Sequence, residues 1–315
     1  MRKQVAALVA TIALTFNAVS AGAAVMSSAP PPALAQLVGP WDCETTMASG
    51  AHFKQSETIE AIGQWVHGSA RPAADGSLQP FYDFYIGYVN SQWVYIQIDP
   101  FHIDPSKSNP SQGTYFVGAS KDGANWSIVY PGGEGHYTFA GSANQFTIGY
   151  ADLTQVCNRS STALEKPQVL TLKCDTWETG QTASAENYLT VSKVDPSWWT
   201  GVKSWWQGAG TDTLSGGNKS YEYNFFPIGG QWVSVAINGS TGDYFIARSY
   251  QSRTLNNTTW TVIYPSFEPG FTFEDVMPEN AVPQRFSLVF TDGYQTCCPV
   301  DTAGPCPKPQ THLPS

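Results

Sequence analysis

The sequence predicts an all-β protein made twice over, with two tandem antiparallel meanders, each fastened by its own disulfide. Three observations carry this. Charged residues form only 13% of the 315 residues, about half the usual share, and aromatic residues form another 13%. Turn formers are abundant, with 28 Gly and 22 Pro. One series of motifs also occurs twice in the same order, roughly 130–140 residues apart. The composition rules out a coiled coil and argues against disorder. The net charge of −9 lacks the basic stripe that a nucleic-acid binder needs, so no nucleic-acid partner is expected.

The chain opens with Arg2 and Lys3, an apolar run from Val5 to Phe16, and small residues at Ala21, Gly22, Ala23 and Ala24. This is the layout of a secretory signal peptide over residues 1–24. The run is too short for a membrane span, which needs about 20 apolar residues. A secreted or periplasmic protein without a membrane span is the expectation. Residues 25–35, with Pro30, Pro31 and Pro32, read as an extended leader.

The first copy spans residues 36–159 and the second residues 168–298. Cys43-Glu44-Thr45 corresponds to Cys174-Asp175-Thr176, and Gln92-Trp93-Val94 to Gln231-Trp232-Val233. Tyr115-Phe116-Val117 corresponds to Tyr244-Phe245-Ile246. The run from Trp126 to Tyr130-Pro131 corresponds to that from Trp260 to Tyr264-Pro265. Phe146 and Ile148 match Phe286 and Leu288, and Asp152, Gln155 and Cys157 match Asp292, Gln295 and Cys297. Val94, Ile96 and Ile98, like Val233, Val235 and Ile237, alternate with other side chains, which is the period of a strand. Turns are marked at Asn90-Ser91, Gly123-Ala124-Asn125 and Gly229-Gly230. About eight to ten strands in so short a segment curl into a sandwich or a closed barrel, since closure removes exposed edges.

Six cysteines in an exported chain imply disulfides, and six allow fifteen pairings. The repeat narrows them: Cys43 and Cys157 bracket the first copy, Cys174 and Cys297 the second. Cys298 and Cys306 remain to staple a Pro-rich tail at residues 299–315. Their spacing is wrong for a zinc knuckle, so no metal site is expected.

Gly39-Pro40-Trp41 at the head of the first strand is similar to the G-x-W opening of lipocalins. Thr241-Gly242-Asp243-Tyr244 is similar to their T-D-Y motif with one residue inserted, and Arg285 to their closing basic residue. The second copy has Leu172-Lys173-Cys174 in place of G-x-W, and the first has Gly113-Thr114-Tyr115 in place of T-D-Y. Each copy is nearer in size to nitrobindin-like barrels. Over residues 36–298 the chain therefore resembles a tandem pair of lipocalin-like, calycin-type β-barrels. The resemblance implies cups that hold a small, largely apolar ligand.

Trp126, Tyr130 and Tyr115 in the first copy, and Trp260, Tyr264 and Tyr244 in the second, are the candidate cavity residues, with core packing as the competing role. Nitrobindin relatives can hold haem, which needs an axial histidine. His52, His67, His102, His136 and His312 have no partners at ligand spacing and read as surface or turn residues, so no cofactor is expected. Asp152 and Asp292 recur at matched places, but Asp before a strand commonly makes a turn, and no catalytic residue is assigned.

The leading function is an exported, non-enzymatic binding protein with a small apolar ligand in each barrel. One alternative is an extracellular enzyme acting on carbohydrate or lipid, which predicts polar groups of shifted pKa clustered in one barrel. The other is a structural or surface-interaction protein with packed barrels. Trp198, Trp199, Trp205 and Trp206 would then serve as exposed contacts, or pack between the domains.

Overall fold

The computed structural model describes residues 30–73, 80–101, 113–132, 135–178, 185–196, 204–211, 219–249, 258–266, 268–274, 285–291 and 293–309. The expected signal peptide and His102, Trp198, Trp199, Asp292 and His312 lie outside them. No helix among the described residues is long and apolar enough to cross a membrane.

Two compact units divide between Lys166 and Pro167. The first is a closed barrel of ten antiparallel strands: β1 (Gly39–Met47), β2 (His52–Ile62), β3 (Trp65–Pro72), β4 (Tyr82–Val89), β5 (Gln92–Asp99), β6 (Thr114–Ser120), β7 (Asn125–Tyr130), β8 (His136–Gly141), β9 (Gln145–Tyr150) and β10 (Leu153–Arg159). The second repeats it with β11 (Val169–Glu178), β12 (Ala185–Lys193), β13 (Trp206–Thr211), β14 (Lys219–Ile228), β15 (Gln231–Asn238), β16 (Tyr244–Ser249), β17 (Thr258–Tyr264), β18 (Glu268–Glu274), β19 (Phe286–Val289) and β20 (Gly293–Pro299). In each barrel every strand pairs with its sequence neighbour, and the last strand pairs with the first. Asn90 and Ser91 both take positive φ (50° and 63°), the primed turn whose twist suits a two-residue hairpin.

Residues directly opposite on antiparallel strands share a face. Cys43 lies opposite Cys157, and Cys174 opposite Cys297; both pairs are bonded, closing chain separations of 114 and 123 residues. The chain-entropy gain for loops of this size is about 4–5 kcal/mol each, an upper bound. Cys298 bonds Cys306. The tail after β20 is held on the second barrel by Lys173 Nζ, which donates to the carbonyls of Thr302 and Gly304, and by Asp175, which accepts from the Cys306 amide.

The core of the first barrel includes Trp41, Cys43, Ile59, Phe84, Tyr95, Trp126, Tyr137 and Phe146; that of the second includes Leu172, Cys174, Leu189, Tyr223, Phe225, Trp260, Phe271 and Phe286. Trp126 stacks on Tyr137 at 5.5 Å, and Trp260 on Phe271 at 5.7 Å. The duplication read from the sequence is thus repeated in three dimensions, down to this stacked indole.

Residues expected as the end of an extended leader instead form a helical turn, α1 (Pro32–Ala35). Proline suits the first position of a helix. Leu34 and Leu37 are apolar and bury themselves in the core of the first barrel. The Trp41 indole donates to the Leu37 carbonyl at 2.8 Å. The Arg159 guanidinium lies 3.7 Å from the centre of the Trp41 ring and donates to the carbonyls of Gln36, Val38 and Ala143. Arg159, at the end of β10, therefore closes over Trp41 of β1. Arg285 stands just before β19.

Candidate functional site

β2 turns Gln55, Glu57 and Ile59 inward, and all three are buried. Glu57 is 1% exposed and lies opposite Trp41 on β1 and Ala70 on β3. Its Oε1 accepts three hydrogen bonds: from Gln55 Nε2 at 2.6 Å, from Gln155 Nε2 at 2.7 Å and from the Tyr82 hydroxyl at 3.1 Å. Its Oε2 is buried and meets no hydrogen-bond partner among the described residues. Burial pushes the carboxyl up to about 7, and the bonds from Gln55, Gln155 and Tyr82 only partly offset that push. No neighbouring cation contributes. The first barrel's described cationic side chains are engaged or placed elsewhere: Arg71 on Asp83, Arg159 over Trp41, Lys166 on Glu60, and Lys54 and Lys121 exposed.

Tyrosines flank this group and run on from it. The Tyr95 hydroxyl donates to Gln97 Oε1 at 2.9 Å, and Tyr150 is hydrogen-bonded to Tyr95. Tyr95, Tyr137 and Tyr150 form a run of rings with centroids 5.5 and 5.2 Å apart. Burial raises all four phenols, Tyr82, Tyr95, Tyr137 and Tyr150, so they remain protonated donors. The Tyr137 hydroxyl is buried with no hydrogen-bond partner among the described residues. It lies against Gly118, where a side-chain carbon would collide with it. The apolar half of the interior, among Leu37, Ile59, Phe84, Trp126 and Phe146, leaves a void of only about 10 Å³, the room of one water.

The second barrel supplies the matching positions by register. Cys43 faces Gln55 as Cys174 faces Asn187, so Leu189 stands where the first barrel has Glu57. Gln295 and Tyr221 take the places of Gln155 and Tyr82, and they are bonded at 3.2 Å. Ser234 replaces Tyr95, Phe271 replaces Tyr137 and Phe290 replaces Tyr150. The neutral amide and phenol pair is kept. The carboxylate and three phenols are lost.

Of the candidate cavity residues, Trp126 and Trp260 lie inside the barrels. Tyr115 and Tyr130 do not join them. A bulge between Val117 and Gly118 sets Tyr130 opposite the outward Val117, while Ile128 stays opposite the inward Gly118. The shared face expected for Trp126, Ile128 and Tyr130 is broken by that extra residue. The bulge between Ile246 and Ala247 does the same for Tyr264 and Tyr244. The two outer tyrosine pairs are superimposable in description, with 6.0 Å between centroids and 39° between planes in each.

His67 is buried on β3 rather than a surface residue. It bonds Asp83 at 2.7 Å and stacks on Tyr85. Burial would raise Asp83, but Arg71 and His67 overcome that and hold it at about 2. His52 and His136 are exposed, and His136 bonds Ser127 at 3.1 Å. Asp152 is an exposed turn residue. Trp205 and Trp206 are buried, not exposed contacts: Trp205 donates to Asn224 and Trp206 belongs to the second barrel's core. Glu57 comes near the Cys43 and Cys157 sulfurs, but these are bonded to each other and offer no thiolate to a metal. No family model, curated protein or solved structure matches the chain.

Proposed function

We propose that this is an exported, non-enzymatic binding protein whose first barrel holds a small ligand at Glu57. The observation that carries this is the internal control. The same ten-strand barrel closes with Leu189 in the equivalent place, so the fold does not require a carboxylate there. A buried carboxyl with one saturated and one unmet oxygen costs stability, and such costs concentrate at sites of function. The basic start, apolar run and small residues of the first 24 residues, with three disulfides, support export. The ligand is compact and polar at one end, because the apolar interior is filled by rings and larger guests must displace them.

Native mass spectrometry of the protein from its own host, followed by solvent extraction, tests this. A small molecule should leave with the wild type and be missing from Glu57→Leu. Recovery of nothing from either would favour packed barrels with a scaffold role, the reading that the 10 Å³ void supports. An enzyme using Glu57 as a lone general acid or base is favoured by its pKa of about 7. Its described hydrogen-bond partners are two amides and a phenol, none of them an acid.

A further inference from the structure

We propose, on that reading of the first barrel, that Glu57 anchors an organic cation: a protonated primary amine on a compact aromatic or aliphatic body. Each class of guest meets the same set of groups. An anion would face Glu57 with no cationic side chain beside it among the described residues. A purely apolar guest would leave Oε2 buried and unmet, a desolvation cost of about 1–3 kcal/mol or more for a charged group. A divalent cation wants six or more oxygen ligands. The Gln55 and Gln155 amides instead turn their N–H groups toward the carboxylate, and the nearby sulfurs form a disulfide. What remains is a donor with positive charge.

An ammonium group gives Oε2 a charge-assisted hydrogen bond, roughly twice as strong as a neutral one. It also finds aromatic rings close by, since Tyr82 bonds the carboxyl and Tyr95 and Tyr150 lie within its electrostatic reach, and a cation over a ring gains further when desolvated. The Tyr137 hydroxyl, on the ring next to Tyr150, is a second buried oxygen of this barrel with no hydrogen-bond partner among the described residues. Gly118 keeps the space for that hydroxyl. The second barrel has Ala247 and Phe271 at these two positions, so its hydroxyl and its glycine are missing together. The second barrel keeps buried neutral atoms without partners, Asn187 Oδ1 and Ser234 Oγ, but has Leu189 in place of the inward carboxylate. The barrels therefore differ in their suitability for a cation rather than in polarity alone.

Calorimetric titration of the full-length, disulfide-intact protein at pH 8 with three probes of one shape decides it: benzylamine, benzyl alcohol and benzoate. Benzylamine should bind at least about tenfold more tightly than benzyl alcohol, and benzoate should not bind. Glu57→Gln should erase the amine's advantage, so that amine and alcohol bind about equally. Glu57→Leu, which copies the second barrel, should do the same, with hydrogen exchange of β2 confirming the fold. Lowering the pH to 5 should weaken the amine by about tenfold or more, as the carboxyl takes up its proton. Equal binding of amine and alcohol, or indifference to Glu57→Gln, would overturn the cation anchor and leave the first barrel as a binder of neutral guests. Failure of all three probes while extraction still yields a Glu57-dependent molecule would also overturn it. Failure of probes and extraction together would remove both the anchor and the binding reading.

Discussion

The two barrels share a strand order, a disulfide across the first and last strands and a stacked indole, yet their interiors differ at many positions, Trp41 against Leu172 and Phe84 against Tyr223 among them. Glu57, Tyr95, Tyr137 and Tyr150 stand against Leu189, Ser234, Phe271 and Phe290. Gln155 and Tyr82 persist as Gln295 and Tyr221. What the second barrel retains marks what the architecture uses, and what it lacks marks what the architecture can spare. The amide and phenol near the disulfide belong to the first group. The carboxylate belongs to the second, and a group that is buried, costly and unnecessary for closure calls for a role outside folding.

The largest effects should fall on what is common. Replacing Cys43 and Cys157 with alanine, or Cys174 and Cys297, should each cost about 4 kcal/mol, because the closed loops differ by only nine residues in 114 and 123. Peptide-resolved hydrogen exchange reads each barrel within the full chain, where a single melting point would mix the two. A loss confined to one pair would break the equivalence of the barrels.

Slightly smaller effects should come from moving the charge. Glu57 holds its proton up to about pH 7, whereas the unfolded chain releases it near 4.5. Both states are protonated below about pH 4.5, so no penalty arises there. Between these values only the native state keeps the proton, and stability falls as the pH rises. Above pH 7 the ionised carboxyl costs about 3 kcal/mol. Glu57→Gln should remove that decline, seen as β2 protection that no longer drops from pH 5 to pH 8 after correction for intrinsic exchange. Leu189→Glu should install a decline of about 3 kcal/mol in β12. A flat wild-type profile would sink the assignment of Glu57 as a buried acid.

The sequence made the duplication, the closed barrels and the disulfides legible because they rest on long-range recurrence: Cys43 with Cys174, Trp126 with Trp260. Glu57 was not legible. A strand announces itself when its inward residues are apolar, and β2 turns Gln55 and Glu57 inward, so the run from Phe53 to Ile59 shows no clean alternation. One signal pointed there, the recurrence of Gln155 as Gln295 two residues before each closing cysteine. The bulges that turn Tyr130 and Tyr264 outward are set by register across two strands, which a single strand's periodicity does not contain. His67 is likewise polar in the sequence, and only its pairing with Asp83 explains its burial.

The smallest effect is the sharpest test of the comparison. A methyl group at position 118 would fall against the Tyr137 hydroxyl, so Gly118→Ala alone should cost about 1–3 kcal/mol through overpacking. Tyr137→Phe alone removes a buried hydroxyl that has no hydrogen-bond partner among the described residues, and should be close to neutral or mildly stabilising. Together the two changes reproduce the alanine and phenylalanine of the second barrel, Ala247 and Phe271. The double variant should recover most of what Gly118→Ala loses, a coupling of about 1–2 kcal/mol in a double-mutant cycle on β6 and β8 exchange. Additive losses would mean that the two positions are not in contact, and that the glycine serves something other than the phenol. Coupling on stability would mean that the glycine keeps the room into which the phenol of Tyr137 packs.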